Sequence, residues 1–155
     1  MSTATKFKIY LASDHAGFEL KKALCDHLKS QSHHQVVELG CFSTQSYHYP
    51  ESTIEMCRRI QSENQSLGIA ICGSGIGVSM VANRFSKIRA ARCVSLEDAK
   101  LSREHNNANV LCLGARVNSL EQSMQMVDLW LKTEFAGGRH SERIDLFDQA
   151  YGSDL

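Results

Sequence analysis

The chain has 155 residues, with Lys+Arg and Asp+Glu both at 17 and a formal net charge of zero. That length fits one domain, residues 1–155, which buries roughly 70% of the surface of its unfolded chain and needs no disulfide or metal staple. The charge balance argues against nucleic acid or an anionic membrane as partner, and no apolar run approaches the ~20 residues of a membrane span.

Taken in chain order, Phe7 to Ser13 reads as a strand, and Ala16 to about Ser30 as a helix. Phe18, Leu20, Ala23, Leu24 and Leu28 repeat there at three- and four-residue spacing. Gln35 to Leu39 is a second strand, ended by Gly40. Glu51 to about Asn64 is a helix with Pro50 near its first turn. Leu67 to Cys72, the run LGIAIC, has the unbroken apolar character of a strand buried on both faces. A helix from Ile76 to about Phe85 and a strand from Arg89 to Val94 come next. The following helix, Leu96 to Glu104, has Ser95 placed as its N-cap. Val110 to Leu113 is the fifth strand. Leu120 to Phe135 is a long helix ended by Gly137 and Gly138, and a last helix covers about Ser141 to Ala150. Five strand–helix alternations predict a parallel sheet with helices on both faces, and sites in such folds form outside the carboxyl ends of the strands.

Met1 to Lys8 lacks the apolar core of a signal peptide, so a cytoplasmic location is expected. The six cysteines, Cys25, Cys41, Cys57, Cys72, Cys93 and Cys112, sit mostly in apolar runs and contain no C-x-x-C pair. They read as free thiols, with neither a disulfide framework nor a structural zinc site.

The most informative segment is Ile71-Cys72-Gly73-Ser74-Gly75-Ile76-Gly77, between the buried strand and a helix. Alternating glycines let backbone N–H groups close on an anion, and the helix start adds a positive dipole end. A dinucleotide fingerprint would need glycine where Val78 stands, although Glu97 and Asp98 follow at a fitting distance; a Walker loop would need Gly-Lys-Ser/Thr. Cys72 enters this loop. It reads either as a small residue completing the strand or as a thiolate base favoured by the N–H-rich loop, and the loop tips the balance to chemistry.

Asp14-His15 follows the first strand, where it can exchange protons with sugar hydroxyls or cap a helix. His105 lies just before the fifth strand, where a helix C-cap is the plain alternative. Arg116 closes that strand. Arg139 and Arg143 are four apart, which suits either phosphate or a solvated helix face.

SDHAGFELK, ICGSGIG, ANRFSKIRAA, LSREHNNANVLCLGAR and TEFAGGRHSERI occur in that order over about Lys8 to Asp148. Together they resemble the type B ribose-5-phosphate isomerases. The resemblance implies a Rossmann-like three-layer α/β/α sandwich with a five-stranded parallel sheet. It also implies a homodimer or a dimer of dimers with active sites between subunits, the C-terminal helix packing on the partner. It implies isomerisation of ribose 5-phosphate and ribulose 5-phosphate without metal or organic cofactor. By motif, Cys72 becomes the base moving a proton between C2 and C1. Ser74 and the amides of Gly73, Gly75 and Gly77 hold the enediolate oxygens. Asp14 and His105 open and close the sugar ring. His15, Arg116, Arg139 and Arg143 bind phosphate, and Tyr49 and Asn106 surround the sugar.

Val78 replaces the glutamate that some relatives use as base. Ser74, His48 and Asn107 stand where threonine and two acidic residues are common. Isomerases of allose 6-phosphate or galactose 6-phosphate remain alternatives within the family. A non-catalytic sugar-phosphate or nucleotide binder, or a nucleotide-bound oxidoreductase, remains outside it.

Overall fold

The structure is a computed structural model and describes residues 5–31 and 33–152. Of the Met1 to Lys8 segment, the first four residues lie outside that range. The elements are β1 (Lys8–Ser13), α1 (Phe18–Gln31), β2 (Gln35–Glu38), α2 (Tyr49–Ser62), β3 (Ser66–Cys72), α3 (Ile76–Ala82), β4 (Ala90–Arg92), α4 (Leu96–Glu104), β5 (Val110–Gly114), α5 (Leu120–Lys132) and α6 (Arg139–Gly152). The strands form one sheet in the order β2-β1-β3-β5-β4, and every neighbouring pair is parallel.

Alternation along the strands divides the core in two. Ile9, Leu11, Leu67, Ile69, Ile71, Leu111 and Leu113 face α1, α4 and α5, where Leu24, Leu28, Ala99, Val127 and Trp130 cover them. Tyr10, Ala12, Ala70, Cys72, Val110 and Cys112 face α2 and α3, against Met56, Cys57, Ile60, Val78 and Ala82. Fully burying one such Leu or Ile contributes about 1.5–3 kcal/mol. Small residues dominate the second face and let α2 come close. A Cβ on Gly68 would stand 2.7 Å from Met56 Sδ and 2.8 Å from Ile60 Cδ1. The helices therefore lie in two layers around the sheet, as the sequence pattern predicts.

Several boundaries move, each for a local reason. α1 begins at Phe18 rather than Ala16, because Asp14 Oδ1 accepts the Gly17 N–H (3.0 Å) and shapes a turn first. β4 is only Ala90–Arg92. Val94 N–H leaves the ladder to donate to Asp98 Oδ2 (3.1 Å), and Arg89 turns to the carbonyls of Asn106 and Asn107. α3 stops at Ala82, and the Asn83 side chain then bonds both the N–H and the C=O of Ala90. α5 ends at Lys132 with Thr133 extended, so Gly137 and Gly138 do not cap it. Both glycines have positive φ (66° and 58°) and turn the chain into α6, which starts at Arg139 rather than Ser141. Ser95 is the N-cap of α4, accepting from Asp98 N–H (3.1 Å).

One buried cation ties the loop after β2 to the sheet. Lys21 is wholly buried; its Nζ donates to the carbonyls of Leu39 and Cys41 and lies 3.6 Å from Glu38 Oε1. Burial pushes its pKa below the ordinary lysine value, opposed by the Glu38 carboxylate. The same loop pairs with β1: Ser13 N–H donates to Gly40 O (2.9 Å) and Cys41 N–H to Ser13 O (2.8 Å). Lys21→Met leaves those carbonyls without their donor. It should lower the unfolding free energy by about 2–5 kcal/mol in urea denaturation; an unchanged midpoint would contradict the anchoring role.

Candidate active site

β3 lies at the centre of the sheet, so its carboxyl end opens between those of β1 and β5. The loop that leaves it is pressed between them. Gly75 sits at φ 78°, and a Cβ there would meet Leu113 C at 3.0 Å, so only glycine fits comfortably. A Cβ on Gly114 would lie 2.7 Å from Ser74 C and O. Arg92 Nε adds a bond to Ser74 O (2.8 Å).

Cys72 ends β3 and is 4% exposed; its Sγ accepts the Gly75 N–H at 3.2 Å. Ser74 Oγ accepts from Ile76 N–H (3.2 Å). Among the described residues, the other buried thiols accept from no such backbone donor. Burial pushes Cys25 up to about 11, Cys57 and Cys93 up to about 12, and Cys112 well above the ordinary thiol value. They stay protonated and inert at neutral pH. All six cysteines are free.

Four further candidates gather at this end. Asp14 is buried and donates its N–H to Ile71 O (3.2 Å), the residue before Cys72. His15 Nδ1 accepts the Tyr47 N–H (3.1 Å), which fixes the ring and leaves Nε2 for a ligand. Tyr49 opens α2 with its ring against the glycine loop: a Cβ on Gly77 would lie 2.6 Å from Tyr49 Cζ. Arg116 N–H donates to Gly73 O (3.0 Å), and its guanidinium lies over Gly73, where a Cβ would meet Nη1 at 3.0 Å.

His105, Asn106, Arg139 and Arg143 lie elsewhere. Cys72 pairs in register with Gly114 and Gly68 with Val110, and His105 comes before Val110 in the chain. The His105 segment therefore sits at the amino edge of the sheet. Four strand steps of about 3.3 Å already separate the two edges by roughly 13 Å. His105 caps the C-terminus of α4, and its ring stacks on His140 (centroids 4.5 Å apart, 13° between planes). Ala136 N–H donates to Glu104 O (2.9 Å), which brings the start of α6, with Arg139 and Arg143, to the same edge. Cavities of about 820 and 630 Å³ open here too; Asn106 lines the smaller, and Cys72 lines neither. Among the described residues, no group of three or more His, Cys, Asp or Glu is gathered as a metal would require.

Residues 9–147 match the family described as Ribose/Galactose Isomerase. The chain belongs to this family. It is 43% identical over 137 residues to a probable ribose-5-phosphate isomerase B of Mycoplasma pneumoniae, covering 88% of this chain and 90% of that one. It is 38% identical over 138 residues to the ribose-5-phosphate isomerase B of Escherichia coli, covering 89% and 92%. Among solved structures, the Clostridium thermocellum ribose-5-phosphate isomerase B superposes with a TM-score of 0.92 at 38% identity, covering 97% of this chain and 100% of that one. The Mycoplasma genitalium enzyme, solved with ribulose-5-phosphate bound, superposes at 0.90 with 38% identity, covering 99% and 100%.

The isomerase motifs left unread the residues that hold the His105 loop. Arg89 donates from Nε and Nη2 to Asn107 O (3.2 and 3.0 Å) and from Nε to Asn106 O (3.0 Å). Arg103, 8% exposed, donates from Nη1 to Asn107 Oδ1 (3.1 Å) and Ala108 O (2.6 Å). Its Nε is buried without a partner, and its pKa is pushed below the ordinary arginine value by burial and by Arg89. Asn107 meets the Arg103 guanidinium with a neutral side chain and the Arg89 guanidinium with its backbone carbonyl, and its φ of 46° suits Asp as well as Asn. Asn107→Asp supplies the missing charge to a cation that is already buried. The thermal midpoint should rise by about 2–5 °C at neutral pH. The guanidinium groups would hold the new carboxylate below its usual range, so the gain disappears only in acid, as it protonates. A fall in the neutral-pH midpoint would contradict this account of the loop.

Proposed function

We propose that this chain is an aldose–ketose isomerase that interconverts ribose 5-phosphate and ribulose 5-phosphate. The observation that carries the reading is Cys72, buried at the carboxyl end of the central strand with a backbone N–H on its sulfur and Arg116 across the loop. The same chain spans nearly the full length of relatives named for this reaction.

Ribose 5-phosphate is mainly a closed ring. Asp14 and His105 first move the hydroxyl proton and the ring-oxygen proton that open it. The Cys72 thiolate then takes the C2 proton, and charge develops on the carbonyl oxygen. Amides of the Gly73 to Gly77 loop, with Ser74, stabilise that enediolate as the Gly75 and Ile76 N–H groups turn to it from Cys72 Sγ and Ser74 Oγ; donors placed at such an oxyanion contribute several kcal/mol. The C1 oxygen gains a proton as the C2 hydroxyl loses one, and return of the first proton from Cys72 to C1 gives the ketose. His15, Arg116, Arg139 and Arg143 grip the phosphate and hold the reacting carbons at Cys72. Tyr49 and Asn106 flank the sugar. The reaction needs no metal or organic cofactor.

The two edges of the sheet are too far apart for one chain to supply this whole set to one sugar. The reading therefore includes a homodimer, alone or paired into a tetramer. One copy brings the Cys72 half of each site, and its partner brings His105, Asn106, Arg139 and Arg143. α6 supports this arrangement. Ile144 is buried, whereas Leu146 and Phe147 are 64% and 47% exposed, an apolar face suited to a partner. No helix among the described residues is long and apolar enough to cross a membrane. The reading is of a one-domain cytoplasmic enzyme acting on a small sugar phosphate, with neither nucleic acid nor membrane as partner.

The purified chain should isomerise ribose 5-phosphate faster than allose 6-phosphate or galactose 6-phosphate. Cys72→Ala should fold normally and lose at least about 10³-fold in kcat, within the range of a lost general base. Turnover of a hexose phosphate alone would move the chain to a sister activity. Substantial activity of Cys72→Ala would remove the thiol from the mechanism.

A further inference from the structure

Among the described residues, the His105 ring makes one close ring contact, with His140. The centroids are 4.5 Å apart and the planes 13° apart, a stacked arrangement. On its other side His105 Nε2 stands 3.8 Å from Glu104 Oε1, too long for a hydrogen bond that would orient the ring. His105 is 42% exposed on its side chain, and its backbone N–H caps α4 by donating to Leu101 O. Stacking is thus the restraint that sets the plane of this imidazole.

The chain is built to deliver His140 there. Ala136 N–H ties the segment to Glu104 O (2.9 Å). Gly137 and Gly138, both at positive φ, then fold the start of α6 back over the α4 C-terminus. His140 N–H and Ser141 N–H close that turn on Gly137 O (3.2 Å) and Gly138 O (3.0 Å). The first two turns of α6 carry Arg139 and Arg143. The His140 pKa is lowered from the ordinary histidine value by desolvation, by His105 and by both arginines, against the pull of Glu104, and the lowering favours the neutral ring. A neutral ring can stack on His105 in either protonation state, whereas two imidazolium rings would repel.

We infer that His140 is a positioning residue that fixes the His105 imidazole for ring opening and couples it rigidly to the phosphate-binding turn of α6. This rests on the isomerase reading and on His105 as the ring-opening group. The coupling has a chemical purpose. The distance from the phosphate to the ring oxygen is set by the substrate, so the two groups that meet them benefit from a fixed separation.

The experiment compares wild type, His140→Ala, His140→Phe, His105→Ala and the double alanine variant, with ribose 5-phosphate carrying hydrogen or deuterium at C2. His140→Ala should lose about 10-fold or more in kcat with little change in KM, and His140→Phe, which keeps a flat ring, should recover most of it. The C2 isotope effect should shrink in His140→Ala, because ring opening now limits the rate. The double variant should be no slower than His105→Ala alone, since His140 acts through His105. A rise in KM alone would make His140 a phosphate ligand and overturn the inference. Equal losses in the Ala and Phe variants, additive losses in the double variant, or an undiminished isotope effect would also overturn it. An inactive wild type would overturn the isomerase reading itself, whereas an active wild type with an unaffected His140→Ala would overturn only this inference.

Discussion

All five strands of this sheet run in one direction, and the rest of the site follows from that. Parallel strands send every carboxyl end to one edge and every incoming loop to the other. The β3–α3 loop must therefore open at the first edge, where Cys72, Asp14, His15 and Arg116 collect. The α4–β5 loop must lie at the second, with His105 and Asn106. No side-chain rotation closes a gap of roughly 13 Å set by strand rise. The candidate residues of one chain thus lie at opposite edges of its sheet, and the proposed reading uses a second copy to bring them together.

Each half is stiffened by different means. At the carboxyl edge the backbone does most of it: Gly75 wedged against Leu113, Gly114 against Ser74, and Gly73 beneath Arg116 leave the loop little room to move. Buried Lys21 and the Ser13–Cys41 pairing extend that rigidity to the loop that leads to Tyr47 and Tyr49. At the amino edge charged side chains do it instead. Arg89 and Arg103 hold the carbonyls and side chain of the Asn106–Ala108 turn, and His140 lies over His105. Preorganisation of this kind lets hydrogen bonds and charges act on the transition state without first being rearranged.

Much of this was legible in the residues. LGIAIC announces a doubly buried strand, and its even positions, Gly68, Ala70 and Cys72, are small because α2 and α3 crowd them. Cys72 before three alternating glycines stands out among six cysteines for the reason the structure gives, a backbone N–H aimed at its sulfur. What stayed hidden depends on contacts distant in sequence. Arg103 looks like an ordinary polar residue on a helix, and only tertiary packing puts its guanidinium beneath the Asn107 turn. His140 sits between two arginines that draw attention to phosphate, and nothing local shows that it reaches α4. β4 reads three residues too long because Cys93 and Val94 continue its apolar pattern while Val94 N–H turns to Asp98, and because Arg89 at its start is drawn to the Asn106 and Asn107 carbonyls. Gly137 and Gly138 look like a helix end, yet their positive φ values start a helix.

The claim that two copies complete each site can be tested by mixing inactive chains. Cys72→Ala and His105→Ala homodimers are each expected to be nearly inactive. Unfolded together in equal amounts and refolded, they should form mixed dimers in which one site receives Cys72 from one chain and His105 from the other. Activity should then recover to about one quarter of wild type, from statistical pairing with one intact site per mixed dimer. Activity that stays at the level of the separate variants, with mixed dimers shown to be present, would mean that each chain supplies both groups to its own site and would contradict the account.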